Sequence, residues 1–198
     1  MPNDRVYLTA VQRSDLPEFA RWFSDPELQA LLNPGVIFPY TLEDEEKWYE
    51  EAVRRPRAEG RGYTFAIRLR ENDRLIGNIS LMNIDAKNRS ATLGIAIADP
   101  TARGQGYGRE AMEQILRFGF DELNLHRIQL WVYAYNERAI RMYRSVGFQV
   151  EGRARETLFR DGRYHDSLLM SILEHEYRAR LPERKGCIPA PFGRSRPE

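Results

Sequence analysis

Cysteine is nearly absent from this sequence of 198 residues, which contains only Cys187. A single cysteine forms no disulfide within the chain and offers no thiolate cluster for a metal ion. We therefore expect no metal site. The chain has to be stabilised by an apolar core, and its length suits one domain with a core of ordinary size.

The sequence also lacks an excess of charge of either sign. The chain has 30 lysines and arginines against 29 aspartates and glutamates, which gives a formal net charge of +1 at pH 7. This balance provides no general attraction to nucleic acid or to an anionic membrane. The arginine-rich segments 138–144 and 153–163 alternate with acidic and apolar residues, as solvated surfaces do. We expect neither nucleic acid nor a membrane among the partners.

Long apolar runs are missing too. No stretch approaches the length of a membrane-spanning helix, and the first eight residues, MPNDRVYL, lack the apolar core of a signal peptide. These features predict a cytoplasmic protein.

Local signals predict strands and helices in a mixed order. We expect a helix capped by Ser14, a loop-rich stretch at residues 26–39, a capping box formed by Thr41 and Asp44, and a charged connection at residues 54–62. The strands expected from apolar alternation lie at residues 6–8, 63–69, 75–81, 91–97, 128–132, 148–159 and 164–173, with Asp161-Gly162 as the turn of the last hairpin. Hairpins joined to strand–helix–strand units indicate an α+β domain with a mixed sheet.

The most informative stretch is residues 93–120, where a strand, a glycine-rich loop and a helix follow one another. Glycines let the backbone approach a ligand closely, and the free N–H groups at the start of a helix attract an anion. The loop from Arg103 to Gly108 reads RGQGYG. It lacks the Gly-Lys-Ser/Thr of a Walker A motif, and Arg109 stands where the dinucleotide fingerprint has its last glycine.

The loop resembles the pyrophosphate loop of the GCN5-related N-acetyltransferases (GNAT), Arg/Gln-x-x-Gly-x-Gly/Ala, with Arg103, Gly106 and Gly108 in the matching positions. An ordinary strand-to-helix loop would explain the same residues. A second segment, NERAIRMYRSVGF, matches the Asn-x-x-Ala-x-x-x-Tyr…Gly-Phe pattern of this family, with Asn136 and Tyr143. By itself it could be a capped helix with a core tyrosine and a glycine C-cap. The two motifs together, in the right order, identify the chain as a member of the family over about residues 6–176.

The branch of the family is less sharply defined. The segments NRSATLGI at 88–95 and DGRYHD at 161–166 resemble the branch that contains ribosomal-protein N-terminal acetyltransferases. Related members acetylate polyamines or nucleotide-linked amino sugars. The acceptor amine therefore stays open among a protein N-terminus, a polyamine and an amino sugar.

The resemblance implies the GNAT fold, a central mixed and mostly antiparallel sheet flanked by helices, over residues 1–181. The Pro-, Arg- and Gly-rich segment 182–198 is expected to be a mobile tail. A homodimer is expected from the family alone. A non-catalytic acyl-CoA-binding regulator is the alternative from another class, and Tyr143 argues against it, since binding alone needs no phenol there.

The family uses acetyl-CoA as cosubstrate, and the resemblance implies contacts from the central strand, the glycine loop and the later helix. The residues expected to bind acetyl-CoA are Ile95, Ala96, Ile97, Arg103, Gly104, Gln105, Gly106, Tyr107, Gly108, Arg109, Asn136, Ala139 and Tyr143. Three of them are expected to be catalytic. The main-chain N–H of Ile95 polarises the thioester carbonyl, Asn136 positions the cofactor or the amine, and Tyr143 is the general acid for the CoA thiolate.

The resemblance further implies direct attack by the amine, and we reject covalent catalysis because no Ser-His-Asp arrangement is ordered in the chain. The general base is not identified. Asp85, Glu45 and Glu46 are candidates, each better explained as a solvated surface group, and Ser80 and His126 receive no role. The acceptor pocket is expected between the first two helices and the terminal hairpin, with the candidates Trp22, Phe23, Phe38, Tyr40, Tyr164 and Asp166.

Overall fold

The computed structural model describes residues 4–181, so the predicted tail at 182–198 and Cys187 lie outside the described residues. Its centre is a seven-stranded sheet with the order β1-β2-β3-β4-β5-β7-β6. All neighbours are antiparallel except β4 and β5, which are parallel. The strands are β1 Val6–Ala10, β2 Tyr63–Leu69, β3 Leu75–Asp85, β4 Ser90–Ile97, β5 Arg127–Tyr133, β6 Gln149–Arg160 and β7 Arg163–Leu173.

Helices cover both faces of this sheet. They are α1 Leu16–Phe23, α2 Pro26–Leu32, α3 Leu42–Trp48, α4 Arg55–Ala58, α5 Tyr107–Arg117, α6 Glu137–Ser145 and α7 Glu174–Arg180. Ala66 of β2 packs in a cluster with side chains of α1 and α2, whereas its neighbour Ile67 packs in a second, larger cluster with α5. Successive strand residues point to opposite faces, so the two clusters lie on opposite sides of the sheet. The α+β fold predicted from the sequence is confirmed.

Several local predictions are confirmed in detail. The Thr41 side chain accepts the N–H of Asp44 at 3.2 Å, and the Asp44 carboxylate accepts the N–H of Thr41 at 2.9 Å, which completes the capping box. Asp161 and Gly162 both have positive φ, 52° and 74°, as a type I′ turn requires. The seven predicted strands are all present, most of them a few residues longer than expected.

The helices differ more from the predictions. Ser14 lies inside a short 3₁₀ turn, Arg13–Asp15, where the Asp15 carboxylate accepts the N–H of Gln12 at 2.9 Å, so Ser14 is not the cap. The charged connection predicted for residues 54–62 is wrong in its first half, because helical structure continues to Ala58 through a π-helix at Tyr49–Arg54.

The largest difference is α2, which occupies part of the stretch predicted to be loop-rich. The Asp25 side chain accepts the N–H of Glu27 at 2.9 Å, and Pro26 takes the first helical position, where its missing N–H costs nothing. The C-terminal helix α7 was not predicted either.

None of the helices within residues 4–181 is long and apolar enough to cross a membrane.

Candidate functional site

The sheet opens between its two parallel strands. β4 pairs with β3 along its length, but with β5 only at Ser90↔Arg127, Ala91↔Ile128 and Thr92↔Gln129. Beyond Thr92 the two strands separate, while β5 continues beside β7 as far as Tyr133. Within the described chain, one edge of β4 therefore has no strand neighbour from Leu93 onward.

A cleft of about 760 Å³ lies at this opening. One wall is β4, the other is β5 with the β6–β7 hairpin, and the glycine loop, α6 and α2 complete it. The lining residues are Leu28, Leu31, Leu32, Pro34, Leu93, Gly94, Ile95, Ala96, Ile97, Ala102, Arg103, Gly104, Gly106, Tyr107, Gly108, Arg109, Trp131, Val132, Tyr133, Asn136, Arg138, Ala139, Met142, Tyr143, Ala154, Thr157 and Ser167. Of the residues predicted to bind acetyl-CoA, all but Gln105 belong to this lining.

The pairing of β4 with β3 determines which main-chain groups face the cleft. Ala98 donates its N–H to the carbonyl of Ile76, its direct partner in the register, at 2.9 Å. In an antiparallel ladder such bonded pairs alternate, so Ala96 also directs its main-chain groups at β3. Ile95 and Ile97 direct theirs the other way, into the opening. Of the three residues predicted to bind a ligand through the main chain, only Ile95 and Ile97 have main-chain groups that face the cleft. Ala96 lines the cleft, but its N–H points to β3.

The glycine loop presents a row of free donors. Gly104 and Gly106 have φ of 84° and 87°, a left-handed conformation that side chains disfavour. Gly106 is the N-cap of α5, and no side chain caps that helix. The N–H groups of residues 105–108 make no hydrogen bond with any group in the described part of the chain. Together with the helix dipole they form a site for an anion.

Gln105 is turned away from the cleft. Its carbonyl accepts a hydrogen bond from Arg5 Nη2 at 2.9 Å, and its side chain donates to the carbonyl of Thr101 at 3.3 Å. Only its N–H remains available to a ligand at the loop.

The arginines around the loop have different partners. Arg103 donates to the carbonyls of Ile97 at 3.1 Å and Ala98 at 2.8 Å, so it fastens the loop to the end of β4. Arg109 pairs with Glu113, one turn later in α5. Arg138, which sequence analysis placed only among solvated arginines, lines the cleft with Nη2 3.9 Å from the point where a side chain on Gly104 would begin. The Arg138 guanidinium makes no hydrogen bond or ion pair with another residue of the described range, so its charge is available to a ligand.

Asn136 caps α6, since its Oδ1 accepts the N–H of Ala139 at 3.2 Å. Capping uses only this oxygen, and the side-chain amide nitrogen has no hydrogen-bond partner within residues 4–181. Asn136 and Tyr143 both line the cleft, as the shared helix face predicted.

Tyr143 is 8% exposed and packs against Phe148. Its hydroxyl makes no hydrogen bond with another described residue, and burial raises the pKa of Tyr143 to about 12. The phenol therefore keeps its proton at neutral pH and lines the cleft as a hydrogen-bond donor.

The acids considered as a general base lie away from the cleft. Glu45 is 3% exposed, and its burial, with the charge of Asp44, raises its pKa to about 7. Hydrogen bonds from the main chain and side chain of Asn88 lower the pKa of Asp85. Glu46 is exposed on the surface. None of the three, nor Ser80 or His126, is among the residues that line the cleft.

The six aromatic and acidic side chains predicted for the acceptor pocket do not line the cleft. Trp22 and Phe23 pack in the core beside Phe19, and Asp166 pairs with Arg153. Phe38, Tyr40 and Tyr164 are exposed.

Leu28, Leu31 and Leu32 of α2 take their place. The spacing of these leucines, three and four residues apart after an Asp-Pro start, is the sequence signal that would have revealed this wall. On the β6–β7 hairpin, the hydroxyls of Thr157 and Ser167 form a hydrogen bond of 2.7 Å. Every charged side chain in the lining is an arginine: Arg103, Arg109 or Arg138.

Comparisons with known proteins agree with this geometry. The family described as an acetyltransferase (GNAT) domain matches residues 5–149. A spermidine N(1)-acetyltransferase from Vibrio cholerae is 40% identical over 103 residues, 52% of this chain and 59% of that protein. YdaF of Bacillus subtilis, named as a ribosomal N-acetyltransferase, is 35% identical over 103 residues, 52% of this chain and 56% of that protein. The crystal structure of spermidine N-acetyltransferase from Vibrio cholerae in complex with CoA and spermine has a TM-score of 0.79 at 28% identity, covering 89% of this chain and 99% of the other.

The family match spans most of the described chain, and the fold, the open sheet and the relatives point to the same activity. The chain belongs to the GNAT acetyltransferase family and is an N-acetyltransferase that moves the acetyl group of acetyl-CoA to an amine.

Proposed function

We propose that acetyl-CoA lies in the cleft between β4 and β5, with its pyrophosphate at the glycine loop. The observation that carries this placement is the unpaired edge of β4, which ends at a loop with four successive free N–H groups. The pantetheine arm, which contains amides, completes the sheet at that edge by bonding to Ile95 and Ile97. Arg138 adds the free positive charge beside the phosphates.

The chemistry follows from this placement. The N–H of Ile95 donates to the thioester carbonyl and to the oxyanion that forms when a neutral amine attacks. A C–N bond forms, the C–S bond breaks, and the proton of the amine passes to water. The Tyr143 pKa of about 12 lies above the ~8.5 of a free thiol, so the hydroxyl stabilises the departing thiolate by donating a hydrogen bond instead of surrendering its proton.

The acceptor that this cleft suits best is the α-amine of a polypeptide. Its acceptor end is formed by leucines and a hydroxyl pair, and none of the described residues that line the cleft is an acid that could pair with the charges of a polycation. An α-amine with a pKa near 7.7–8.0 is roughly 10–17% neutral at pH 7, against about 0.04% for an aliphatic amine near 10.4. The α-amine therefore needs far less help from a base. The polyamine alternative rests on the names of the spermidine acetyltransferase relatives.

Matched acceptors test this proposal. Thiol release from acetyl-CoA is followed with a peptide that begins with a free α-amine, the same peptide with a blocked N-terminus, and spermidine. We expect the free peptide to give the highest kcat/KM and the blocked peptide to give none. A higher kcat/KM with spermidine would overturn the acceptor assignment and leave the acetyl-CoA site untouched.

Self-association into a homodimer and a cytoplasmic location complete the proposal. Both are expectations from the family and the sequence, and sedimentation of the purified chain checks the first.

A further inference from the structure

The wall of the cleft at its acceptor end is the segment 26–35, which comprises α2 and the turn that follows it. We name this segment the acceptor wall. Leu28 is buried, whereas Leu31 and Leu32 keep 38% and 39% of their surface exposed. Apolar packing therefore fixes the first turn of α2 better than its end. The end of the wall depends on polar contacts.

Arg160, at the end of β6, supplies three of these contacts. Its Nη1 donates to the carbonyl of Ala30 at 2.7 Å, and its Nη2 donates to those of Asn33 at 3.0 Å and Gly35 at 3.2 Å. The last carbonyls of a helix have no partner within the helix, and a guanidinium with a fixed fork of donors satisfies several at once. Arg160 is only 9% exposed, and its side chain makes no ion pair with a carboxylate in the described part of the chain.

Tyr135, in the turn that follows β5, contacts the same helix end. Its hydroxyl also donates to the carbonyl of Ala30. Its ring stacks on Tyr133, a lining residue of the cleft, with centroids 5.4 Å apart and planes 20° apart. On its other side Tyr135 meets the edge of His165, whose Nε2 lies 3.3 Å from the carbonyl of Arg160. The acceptor wall, the turn after β5 and the β6–β7 hairpin are thus joined at one point.

We propose that Arg160 is a positioning residue that sets the distance between the acceptor wall and the β6–β7 hairpin, and thereby the affinity for the acceptor amine. The inference rests on the proposed acceptor end of the cleft. Arg160 does not line the cleft itself and acts through Ala30, Asn33 and Gly35. The acetyl-CoA end is held by β4, the glycine loop and α6, none of which contacts Arg160 by hydrogen bond. Loss of Arg160 therefore affects one substrate and spares the other.

The test compares Arg160→Met, Arg160→Lys and the control Arg163→Met in the full chain. Arg163 pairs with Arg160 in the same hairpin and is exposed, and its side chain makes no hydrogen bond or ion pair with another described residue. The measurements are the KM of the acceptor, the Kd of acetyl-CoA by calorimetry, and amide exchange across residues 26–35. The acceptor is whichever amine the wild type acetylates, so the test does not depend on the peptide being correct.

For Arg160→Met we expect about a tenfold or larger rise in acceptor KM, because misplacement of a positioning wall by about 1 Å is enough to cost that much. The Kd of acetyl-CoA stays within twofold, and exchange accelerates at residues 30–35. Arg160→Lys recovers part of the loss, since one ammonium reaches fewer carbonyls. Arg163→Met behaves as wild type. Faster exchange with an unchanged acceptor KM would reduce Arg160 to a structural anchor, and an equal loss for both substrates would overturn its selectivity. Failure of acetyl-CoA to bind wild type would instead contradict the proposed function.

Discussion

At the scale of single residues, Tyr143 has two properties that are in tension. It is buried enough to be explained as a core aromatic, yet it lines the cleft and its hydroxyl has no hydrogen-bond partner among the described residues. Burial raises its pKa to about 12, which weakens it as an acid and strengthens the case for a neutral hydrogen-bond donor. In place of the general acid predicted from the sequence, we therefore propose that Tyr143 donates a hydrogen bond to the thiolate.

Replacing Tyr143 by Phe keeps the ring and removes the hydroxyl. We expect kcat to fall by about 10–100-fold, near the lower end of general-acid effects, because a thiolate is a fair leaving group and water partly substitutes. The Kd of acetyl-CoA changes little, since the packing against Phe148 remains. Steady-state kinetics and calorimetry on the same preparation measure both quantities. Unchanged kcat would make Tyr143 a packed aromatic and nothing more.

The partners of the arginines near the glycine loop could not be predicted from the sequence. The motif identified Arg103 as part of the loop, but a motif does not reveal partners, and the structure commits Arg103 to the carbonyls of Ile97 and Ala98. Arg138 reaches the loop from another helix, 34 positions beyond Gly104 in the numbering. No local pattern connects residues so far apart, so only the folded chain shows which cation is free.

At the scale of elements, strands were predicted better than helices. Alternation is a strong signal over seven or more residues, and each predicted strand is present. α2 has only seven residues, begins at Pro26 and is followed by an Asn-Pro-Gly sequence. Proline and glycine at both ends of so short a stretch predict a loop, although the leucine spacing is that of a helix. Because α2 lines the cleft, missing this helix also left its leucines out of the residues expected there.

The helix α3 contains a group that links stability to pH. Glu45 has a pKa near 4.5 when solvated and about 7 in the fold, because burial penalises its charge. The folded state then binds more protons than the unfolded state between these values. Its contribution to stability is full below about pH 4.5 and is lost as pH rises through 7.

We therefore expect Glu45→Gln to leave the melting temperature nearly unchanged at pH 5 and to raise it by about 4–8 °C at pH 8, which corresponds to about 2 kcal/mol. The exposed neighbour Glu46 provides the control, and Glu46→Gln should give the same small difference from wild type at both values. Thermal melting followed by circular dichroism measures this. An equal effect of Glu45→Gln at pH 5 and pH 8 would contradict the raised pKa.

At the scale of the whole molecule, the site is a consequence of sheet topology. The glycine loop and the Asn136 helix were predicted from local motifs, and the structure brings them to one cleft. The cleft itself depends on where β4 and β5 stop pairing, after Thr92 and Gln129. The two strands are separated by 29 residues in the chain, from Ile97 to Arg127, so no short window of sequence shows where they stop pairing. The resemblance to the family predicted ligand contacts from the central strand, the glycine loop and the later helix, and the structure places all three along one cleft.

Acetyl-CoA binding at the glycine loop is the central claim, and calorimetric titration of Gly106→Val tests it most directly. Gly60→Val is the matched control, since Gly60 also has positive φ, 68° against 87°, and lies in a turn that does not line the cleft. Both substitutions strain the backbone similarly. We predict that Gly106→Val weakens acetyl-CoA binding at least about tenfold, the loss expected when one charge-assisted phosphate contact of about 1.5–3 kcal/mol is removed, while Gly60→Val binds as wild type. Wild-type affinity in a folded Gly106→Val protein would contradict the placement of the cofactor.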